Sequence, residues 1–348
     1  MKADLDHILI TRFNLPSQGH ESMIRAQENW LKNRVVLFER YCLPSVMAQT
    51  CRNFSWIIYF DPHSPTWLLD WVRGHEQQSH FIPHFREEVA GNDLLSDIRA
   101  VVGDHHGAEL LTTNLDNDDG LAIDFVARLQ RAARLGDRTV IYIGDGLIRC
   151  GDVLLYRRVD PHNAFCSVRE SWNAPVTCWV DWHNLLPLRM PAVILRGDPG
   201  WLQVVHGANV SNRVHGRVTY PTQHRAAFPG LLDDLPEPGM QQIAKDTLLS
   251  APGRAIRESG RATTKAVISK IAGKRGLDRA KVMWASARGT PASPKLHVLK
   301  MPRPPLACAF APGLAVSGYF LRFLGMTSAG HHVRGGWPSA GHWMPGWR

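Results

Sequence analysis

The sequence predicts an α/β protein in which a mixed sheet is flanked by helices and followed by a basic C-terminal extension. Two patterns lead to this fold class. Short apolar runs alternate with helix-length segments through the first 150 residues, and basic residues greatly outnumber acidic ones after residue 239. Hydrophobic residues make up 44% of the 348 residues, which is enough for a sizeable core. The six cysteines include no CxxC pair, so neither a zinc ribbon nor a disulfide scaffold is expected.

The first half of the chain predicts alternating strands and helices. Apolar runs predict strands over 7–11, 55–61, 80–85, 109–116 and 139–144. Apolar residues at helical spacing predict helices over 30–49, 65–78, 92–102 and 121–135. Pro44 is expected to kink or end the first of these helices. Such alternation forms parallel βαβ units, whose ligands bind at the carboxyl ends of the strands.

The second half is predicted to complete the sheet with an antiparallel-like pattern. Four short apolar runs follow one another here, over 152–159, 164–171, 192–196 and 201–207. They are expected to form the second side of the ligand-binding site, opposite the side formed by the βαβ units. The expected parts of the chain are one domain over 1–239, a basic helical extension over 240–288, and a Gly/Pro/Trp-rich, poorly ordered tail over 289–348.

The charge of the chain is divided unequally between these parts. Residues 1–239 carry 23 basic and 28 acidic side chains, whereas 240–348 carry 17 basic and 3 acidic ones. This asymmetry indicates an anionic partner for the extension. Residues 252–282 predict a basic amphipathic helix on an anionic membrane surface, with a solvated basic face as the alternative. We expect a cytoplasmic protein that contacts the inner face of the plasma membrane, and no nucleic acid partner, because this segment lacks stacking aromatic residues.

The segment TTNLDNDDGL (112–121) is the most informative part of the sequence. A predicted strand runs into a turn that carries Asp116, Asp118 and Asp119, and the first two are spaced so that both carboxylates reach one side. So much negative charge in one turn is costly unless a cation lies there. One aspartate would be enough to cap the following helix, and the spacing does not fit an EF-hand calcium loop. The turn therefore predicts a divalent metal site.

This turn is one of five segments through which the chain resembles a known family. A DxD pair at the end of a βαβ strand is how glycosyltransferases of the GT-A fold hold Mg²⁺ or Mn²⁺ against a nucleotide-sugar diphosphate. The other segments are HILITRFNLPS (7–17), YCLPSVMAQT (41–50), FSWIIYFD (54–61) and WLQVVHGANVSN (201–212). Over residues 5–220 they resemble the bacterial rhamnosyltransferase family. The resemblance implies a GT-A-like, metal-dependent transferase that moves a sugar from a nucleotide-sugar donor to a cell-surface glycan or glycolipid acceptor.

The resemblance also implies roles for individual residues. Asp116 and Asp118 are expected to hold the Mn²⁺ or Mg²⁺ ion, and Asp116 also to contact the donor. His206 is the expected third metal ligand, since a neutral imidazole suits Mn²⁺; a structural histidine is the alternative. Five residues at predicted strand ends are expected to line the nucleotide sugar, namely Thr11, Arg12, Phe13, Asp61 and Asn114. For Arg12 a surface salt bridge, and for Asp61 a turn-forming role, are the alternatives.

An inverting transferase also needs a carboxylate base that takes the proton of the acceptor hydroxyl. The candidates are Glu170 in VRESW and Asp181 in WVDWH, and Asp181 is preferred. The tryptophans near them can stack on sugar rings, with core packing as the alternative.

Two other functions would use parts of the same sequence. A metal-dependent phosphoryl-transfer or hydrolase enzyme would use the same aspartates, but the chain contains neither a GxxxxGK[ST] nor a GxGxxG phosphate loop. A non-catalytic anion-binding protein would rely on the basic extension. Turnover of a nucleotide sugar distinguishes the transferase from both.

Overall fold

The computed structural model describes residues 5–16, 29–78, 80–104, 106–206 and 215–250. Of the predicted basic extension over 240–288, only the part up to residue 250 is described. The predicted membrane-contact segment 252–282 and the predicted tail 289–348 lie outside the described residues. Within the described ranges, no helix has the length and apolar character needed to cross a membrane.

Most of the strands and helices lie close to their predicted positions. The strands are β1 Leu5–Arg12, β2 Ser55–Phe60, β3 Ile82–Phe85, β4 Glu109–Asn114, β5 Gly120–Leu121, β6 Arg138–Ile143, β7 Asp145–Cys150, β8 Leu154–Val159, β9 Ser167–Ser171, β10 Ala192–Leu195, β11 Trp201–Val205 and β12 Arg217–Val218. The helices are α1 Trp30–Leu37, α2 Leu43–Met47, α3 Thr66–Gln77, α4 Gly91–Val102, α5 Phe125–Arg131 and α6 Met240–Lys245.

The larger sheet contains, among the described residues, seven strands in the order β10-β6-β9-β4-β1-β2-β3. β1 pairs in parallel with β2 and β4, and β2 pairs in parallel with β3, as the predicted βαβ units require. β9 lies antiparallel between β4 and β6, while β10 pairs in parallel with β6. A reversed strand within an otherwise parallel arrangement confirms the mixed α/β fold class.

Successive residues of β1 face two different cores. Leu9 packs in one core with Phe38 and with side chains of α3, whereas Ile8 and Ile10 pack in the other with side chains of α4. All three β1 residues are at most 2% exposed. A central parallel strand is buried on both faces, so its sequence is a continuous apolar run. The same parallel pairing places the carboxyl ends of β1, β2 and β4 side by side.

A second sheet, in the order β12-β8-β7-β11-β5, joins the two halves of the chain. β11 pairs in parallel with β7 and antiparallel with β5. β5 directly follows the aspartate-rich turn, and β11 ends one residue before His206. The pairing of β5 with β11 therefore brings His206 toward this turn.

Two predicted helices differ in the structure. The helix predicted over 30–49 consists of α1, a π-helical turn at Phe38–Cys42, and α2. Pro44 cannot donate a helical hydrogen bond, which favours an irregular turn just before it. The helix predicted over 121–135 is only α5, because Gly120–Leu121 pair with β11 and the backbone at Ala132 is extended.

The apolar patterns do not predict β7 as a separate strand, because a buried arginine interrupts its apolar run. Arg149 is completely buried. It donates to Asp234 Oδ1 and Oδ2 and to Asp152 Oδ1, each at 2.7 Å, and to the Leu231 carbonyl oxygen at 2.9 Å. These partners offset the cost of burying the charge. One of them lies 85 residues away in sequence, beyond the reach of any local pattern.

Candidate active site

Several of the predicted site residues lie at the carboxyl edge of the larger sheet. In the sheet register, Asn114 at the end of β4 pairs with Ile10, and Arg12 at the end of β1 pairs with Tyr59. The residues that follow β4 form a turn, Asp116–Asp119, which we call the acidic turn. Ligands of open α/β sheets bind at this edge, so the acidic turn lies where the fold class places a ligand.

Two polar side chains attach the acidic turn to neighbouring strands. Asn117 Nδ2 donates to the carbonyl oxygens of Arg12 and Phe13, at 3.0 and 2.7 Å. Asp119 Oδ1 accepts a hydrogen bond from the backbone N–H of Val204, in β11, at 2.8 Å. Both side chains are buried. They fix the position of the turn, a role that no sequence pattern indicates for either of them.

Asp118 lies between a guanidinium group and an imidazole. Arg34 Nη1, from α1, is 2.6 Å from Asp118 Oδ2 and 3.0 Å from Asn117 Oδ1. His206 Nε2 is 3.2 Å from the same Asp118 oxygen. The structure thus brings together His206 and Asp118, two of the three expected metal ligands, and their role as ligands stays a prediction. Arg34 is a further site residue that no pattern indicated, because it precedes Asp118 by 84 residues.

The three carboxylates of the acidic turn differ in acidity. Partial loss of hydration raises the pKa of Asp116, although its side chain is exposed, and the negative charge of Asp118 raises the pKa further. Burial raises the pKa of Asp119 well above its usual range, and the two neighbouring carboxylates add to this effect. Burial acts in the same direction on Asp118, but the hydrogen bond to His206 and the charge of Arg34 outweigh it and lower the pKa. The negative charge is therefore held most firmly on Asp118.

The donors around the acidic turn suit Mn²⁺ or Mg²⁺ in kind, since carboxylate oxygens and an imidazole nitrogen are among the ligands of these ions. Asp116 is exposed. The 3.2 Å between Asp118 Oδ2 and His206 Nε2 is near the spacing of adjacent ligands on an octahedral ion, about 3.0 Å for bonds of about 2.1 Å. Within the described ranges, no three His, Cys, Asp or Glu side chains already form a metal-binding group. The donor set fits a divalent ion once Arg34 shares or releases Asp118.

Two residues predicted to line the nucleotide sugar are buried in the protein core. Thr11 is completely buried, and its hydroxyl accepts a hydrogen bond from Trp56 Nε1 at 2.9 Å. Phe13 is 2% exposed, and its ring lies 5.4 Å from that of Phe38 and 5.0 Å from that of Phe60. The side chains of Thr11 and Phe13 therefore do not face the acidic turn, which corrects this part of the prediction.

Arg12, Asn114 and Trp179 form a connected group beside the acidic turn. Trp179 Nε1 donates to Asn114 Oδ1 at 2.8 Å, and the Arg12 guanidinium carbon lies 4.0 Å from the centre of the Trp179 ring. Asn114 Nδ2 donates to the Ala164 carbonyl oxygen at 2.9 Å and lies 3.4 Å from Asp116 Oδ1. The indole thus holds the amide oxygen of Asn114 while the amide nitrogen faces Asp116.

Asp61 follows β2 at the same edge and is half-buried. Its Oδ1 accepts a hydrogen bond from the backbone N–H of His63 at 2.8 Å, and its own backbone N–H donates to Asn14 Oδ1 at 3.1 Å. Its carbonyl oxygen accepts from the hydroxyl of Ser64 at 2.6 Å. These contacts are those of a turn-forming aspartate, the alternative role that the sequence allowed.

Glu170 lies away from the acidic turn. It pairs with Leu110, near the amino end of β4, whereas the acidic turn follows the carboxyl end of that strand. It is completely buried. Its carboxylate accepts hydrogen bonds from the backbone N–H groups of Val176 and Thr177, at 2.9 and 2.8 Å, and from Arg138 Nε at 3.1 Å. Glu170 fixes the loop that follows β9, and its position does not suit the predicted role of catalytic base.

Asp181 is the better placed of the two predicted bases. It lies two residues after Trp179, the residue that contacts Asn114 at the carboxyl edge. Its side chain is 21% exposed. Oδ2 accepts a hydrogen bond from Arg189 Nε at 2.7 Å, and Oδ1 accepts one from the backbone N–H of Trp182 at 2.8 Å. The side chain is therefore oriented and accessible to solvent.

The match to a family of known proteins places the chain in the glycosyltransferase class. The chain is a member of the family described as "Putative rhamnosyl transferase", whose model matches residues 6–218, more than half of the 348 residues. This match confirms the family that the sequence resembles. A search of curated proteins finds no match.

Several solved structures are similar to the chain at low identity. TarS 1–349 from S. aureus is 9% identical with a TM-score of 0.31, and the alignment covers 57% of this chain and 60% of that one. The same TarS region in complex with UDP is 11% identical with a TM-score of 0.33 and the same coverage. A "putative nucleotide-diphospho-sugar transferase" from Desulfovibrio desulfuricans G20 is 8% identical with a TM-score of 0.30, covering 59% and 82%. The alignment thus spans less than two thirds of the length of TarS 1–349.

Proposed function

We propose that this protein is a metal-dependent glycosyltransferase that moves a sugar from a nucleotide-sugar donor to a hydroxyl group of a cell-surface glycan or glycolipid. The description of its family makes rhamnose the proposed sugar. The observation that supports the proposal most directly is the acidic turn at the carboxyl edge of β4, with His206 beside Asp118, in a chain whose residues 6–218 match this family.

The proposed reaction exchanges one bond of the sugar for another. The bond between the anomeric carbon and the diphosphate breaks, and the nucleoside diphosphate leaves with the bonding electrons. The acceptor oxygen forms the new bond to the anomeric carbon, and its proton passes to a carboxylate base. A divalent ion held by Asp116, Asp118 and His206 supplies positive charge for the leaving diphosphate when it is bound.

Other residues of the carboxyl edge orient the reactants in this proposal. Arg12, stacked on Trp179, presents a guanidinium group that suits a phosphate oxygen. Asn114 orients Asp116 through its amide nitrogen. Asp181 is the proposed base, because it is partly accessible to solvent and follows Trp179 in the same loop. The Arg189 ion pair holds its carboxylate in one orientation.

The test measures nucleoside diphosphate release by the purified full-length chain. We expect release from at least one of a panel of UDP-, GDP- and dTDP-sugars in the presence of Mn²⁺, and its loss in EDTA. Asp116→Asn and Asp118→Asn should each abolish release, because they remove a carboxylate charge with little change of shape. Asp124→Asn is the matched control, since Asp124 is an exposed carboxylate that pairs with Arg128.

Four results would contradict parts of the proposal. Full activity of either acidic-turn variant, or full activity in EDTA, would reject the metal role. Release of inorganic phosphate without sugar transfer would favour the phosphoryl-transfer or hydrolase alternative. Binding of nucleotide sugars without any turnover would favour a non-catalytic binding protein.

A further inference from the structure

We propose that Arg34 is a built-in counter-cation of the acidic turn and competes with the divalent ion for Asp118. The proposal relies on the proposed function only for the kind of ion that enters the site. It concerns a residue that lies within the matched residues 6–218 but outside the five segments quoted in the sequence analysis. It assigns to α1 a direct part in the affinity of the site for metal.

The contacts of Arg34 are directed at the acidic turn. Its Nη1 donates to Asp118 Oδ2 at 2.6 Å and to Asn117 Oδ1 at 3.0 Å. The two charged side chains are well shielded from solvent, with relative exposures of 14% for Arg34 and 9% for Asp118. The guanidinium carbon also lies 5.0 Å from the centre of the Trp30 ring, one helical turn earlier. A shielded, charge-assisted hydrogen bond is stronger than a surface ion pair.

The acidic turn requires such a cation when no metal ion is bound. Three of its four residues are aspartates, and Arg34 contacts two residues of the turn, Asn117 and Asp118. Asp118 and Asp119 are buried, and carboxylates this close together repel one another unless a positive group compensates them. Arg34 supplies that charge from within the chain, and its contacts with Asn117 and Asp118 hold the turn in place.

The same contact opposes metal binding at Asp118. Asp118 Oδ2 already faces both Arg34 Nη1 and His206 Nε2. An ion that binds between the carboxylate and the imidazole meets a positive charge 2.6 Å from one of its ligand atoms. Arg34 must then move or share the carboxylate, and the repulsion between the two cations lowers the affinity for the ion. The site is therefore adjusted to bind metal less tightly than its carboxylates alone would.

The test measures binding of Mn²⁺ alone to the full-length chain by titration calorimetry, with no nucleotide present. Arg34→Met removes the charge and keeps an unbranched side chain that can still pack on Trp30. We expect it to bind Mn²⁺ at least tenfold more tightly than the wild type, whereas Arg34→Lys, which keeps the charge, should bind more nearly like the wild type. Arg40→Met is the matched control, because Arg40 pairs with Asp152 and Asp234 rather than with the acidic turn. It should leave Mn²⁺ affinity unchanged.

A second measurement keeps the result interpretable if Arg34→Met lowers stability. In the metal-free protein, Arg34→Met should lower the melting temperature, and this loss should be much smaller in the Asp118→Asn background, where the carboxylate that Arg34 contacts has become a neutral amide. Equal losses in both backgrounds would overturn the counter-cation role. Unchanged or weaker Mn²⁺ affinity in Arg34→Met, or no Mn²⁺ binding by any variant, would overturn the competition. Turnover of nucleotide sugars is read separately, so the proposed transferase activity stands or fails independently.

Discussion

The substitution Glu170→Gln separates the two carboxylates that the sequence offers as catalytic base. Glu170 is completely buried near the amino end of β4, where it accepts two backbone hydrogen bonds and one from Arg138. Gln keeps the size of the side chain but replaces one acceptor oxygen with an NH₂ group. Both carboxylate oxygens accept hydrogen bonds, so the NH₂ group meets a donor whichever oxygen it replaces, and that donor loses its acceptor.

The expected loss of stability follows from these contacts. A hydrogen bond to a charged group contributes about 1.5–3 kcal/mol, and a buried donor left without an acceptor costs about 1–3 kcal/mol. We therefore expect the variant's free energy of unfolding to be lower by ~3 kcal/mol. At about 2–4 °C for each kcal/mol in a domain of this size, the melting temperature should fall by roughly 6–12 °C.

The assay compares thermal unfolding with turnover below the unfolding transition. Glu170→Gln should unfold at lower temperature and keep kcat within a few fold of the wild type, because the side chain does not reach the carboxyl edge. Asp181→Asn should show the reverse, with a small change in melting temperature and a large loss of kcat. A Glu170→Gln protein that has wild-type stability and little turnover would refute the structural role assigned to Glu170.

Two further predictions concern stability alone. Burial lowers the pKa of His7 from 6.5 to about 3. Between these pH values the imidazole is protonated in the unfolded chain but neutral in the folded chain. The free energy of unfolding therefore falls as the pH drops from 6.5 toward 3. His7→Asn should make this fall smaller, as measured by the free energy of unfolding in urea at a series of pH values. A curve for the variant that runs parallel to the wild-type curve would contradict the prediction. Gly146→Ala should destabilise the protein by at least ~1–3 kcal/mol, because a Cβ there would lie 2.1 Å from the Trp201 ring. Gly74→Ala, in α3 with nothing within 4 Å, should stabilise it by about 0.5–1 kcal/mol in the same denaturation assay, and equal shifts for both would refute the packing argument.

The sequence by itself determined the fold class, the edge of the sheet that carries the site, and the family. Continuous apolar runs marked β1, β2 and β4, because a central parallel strand is buried on both faces. The helices between these strands required parallel pairing, and parallel strands share one carboxyl edge. The aspartates after β4 then had to lie at that edge. All of these features depend on local periodicity and chain direction, which a sequence records directly.

Only the tertiary structure decided which side chains meet there. Arg34 and His206 contact Asp118 across 84 and 88 residues, and the pairing of β5 with β11 brings His206 into place. Thr11 turns into the core, although it stands beside Arg12 at the end of β1, because neighbouring residues of a strand point to opposite sides. Glu170, near the end of β9, lies beside the amino end of β4 because the two strands are antiparallel, so it is far from the carboxyl edge. A charged side chain finds its partner through strand order and direction, and these properties arise only when distant parts of the chain pack together.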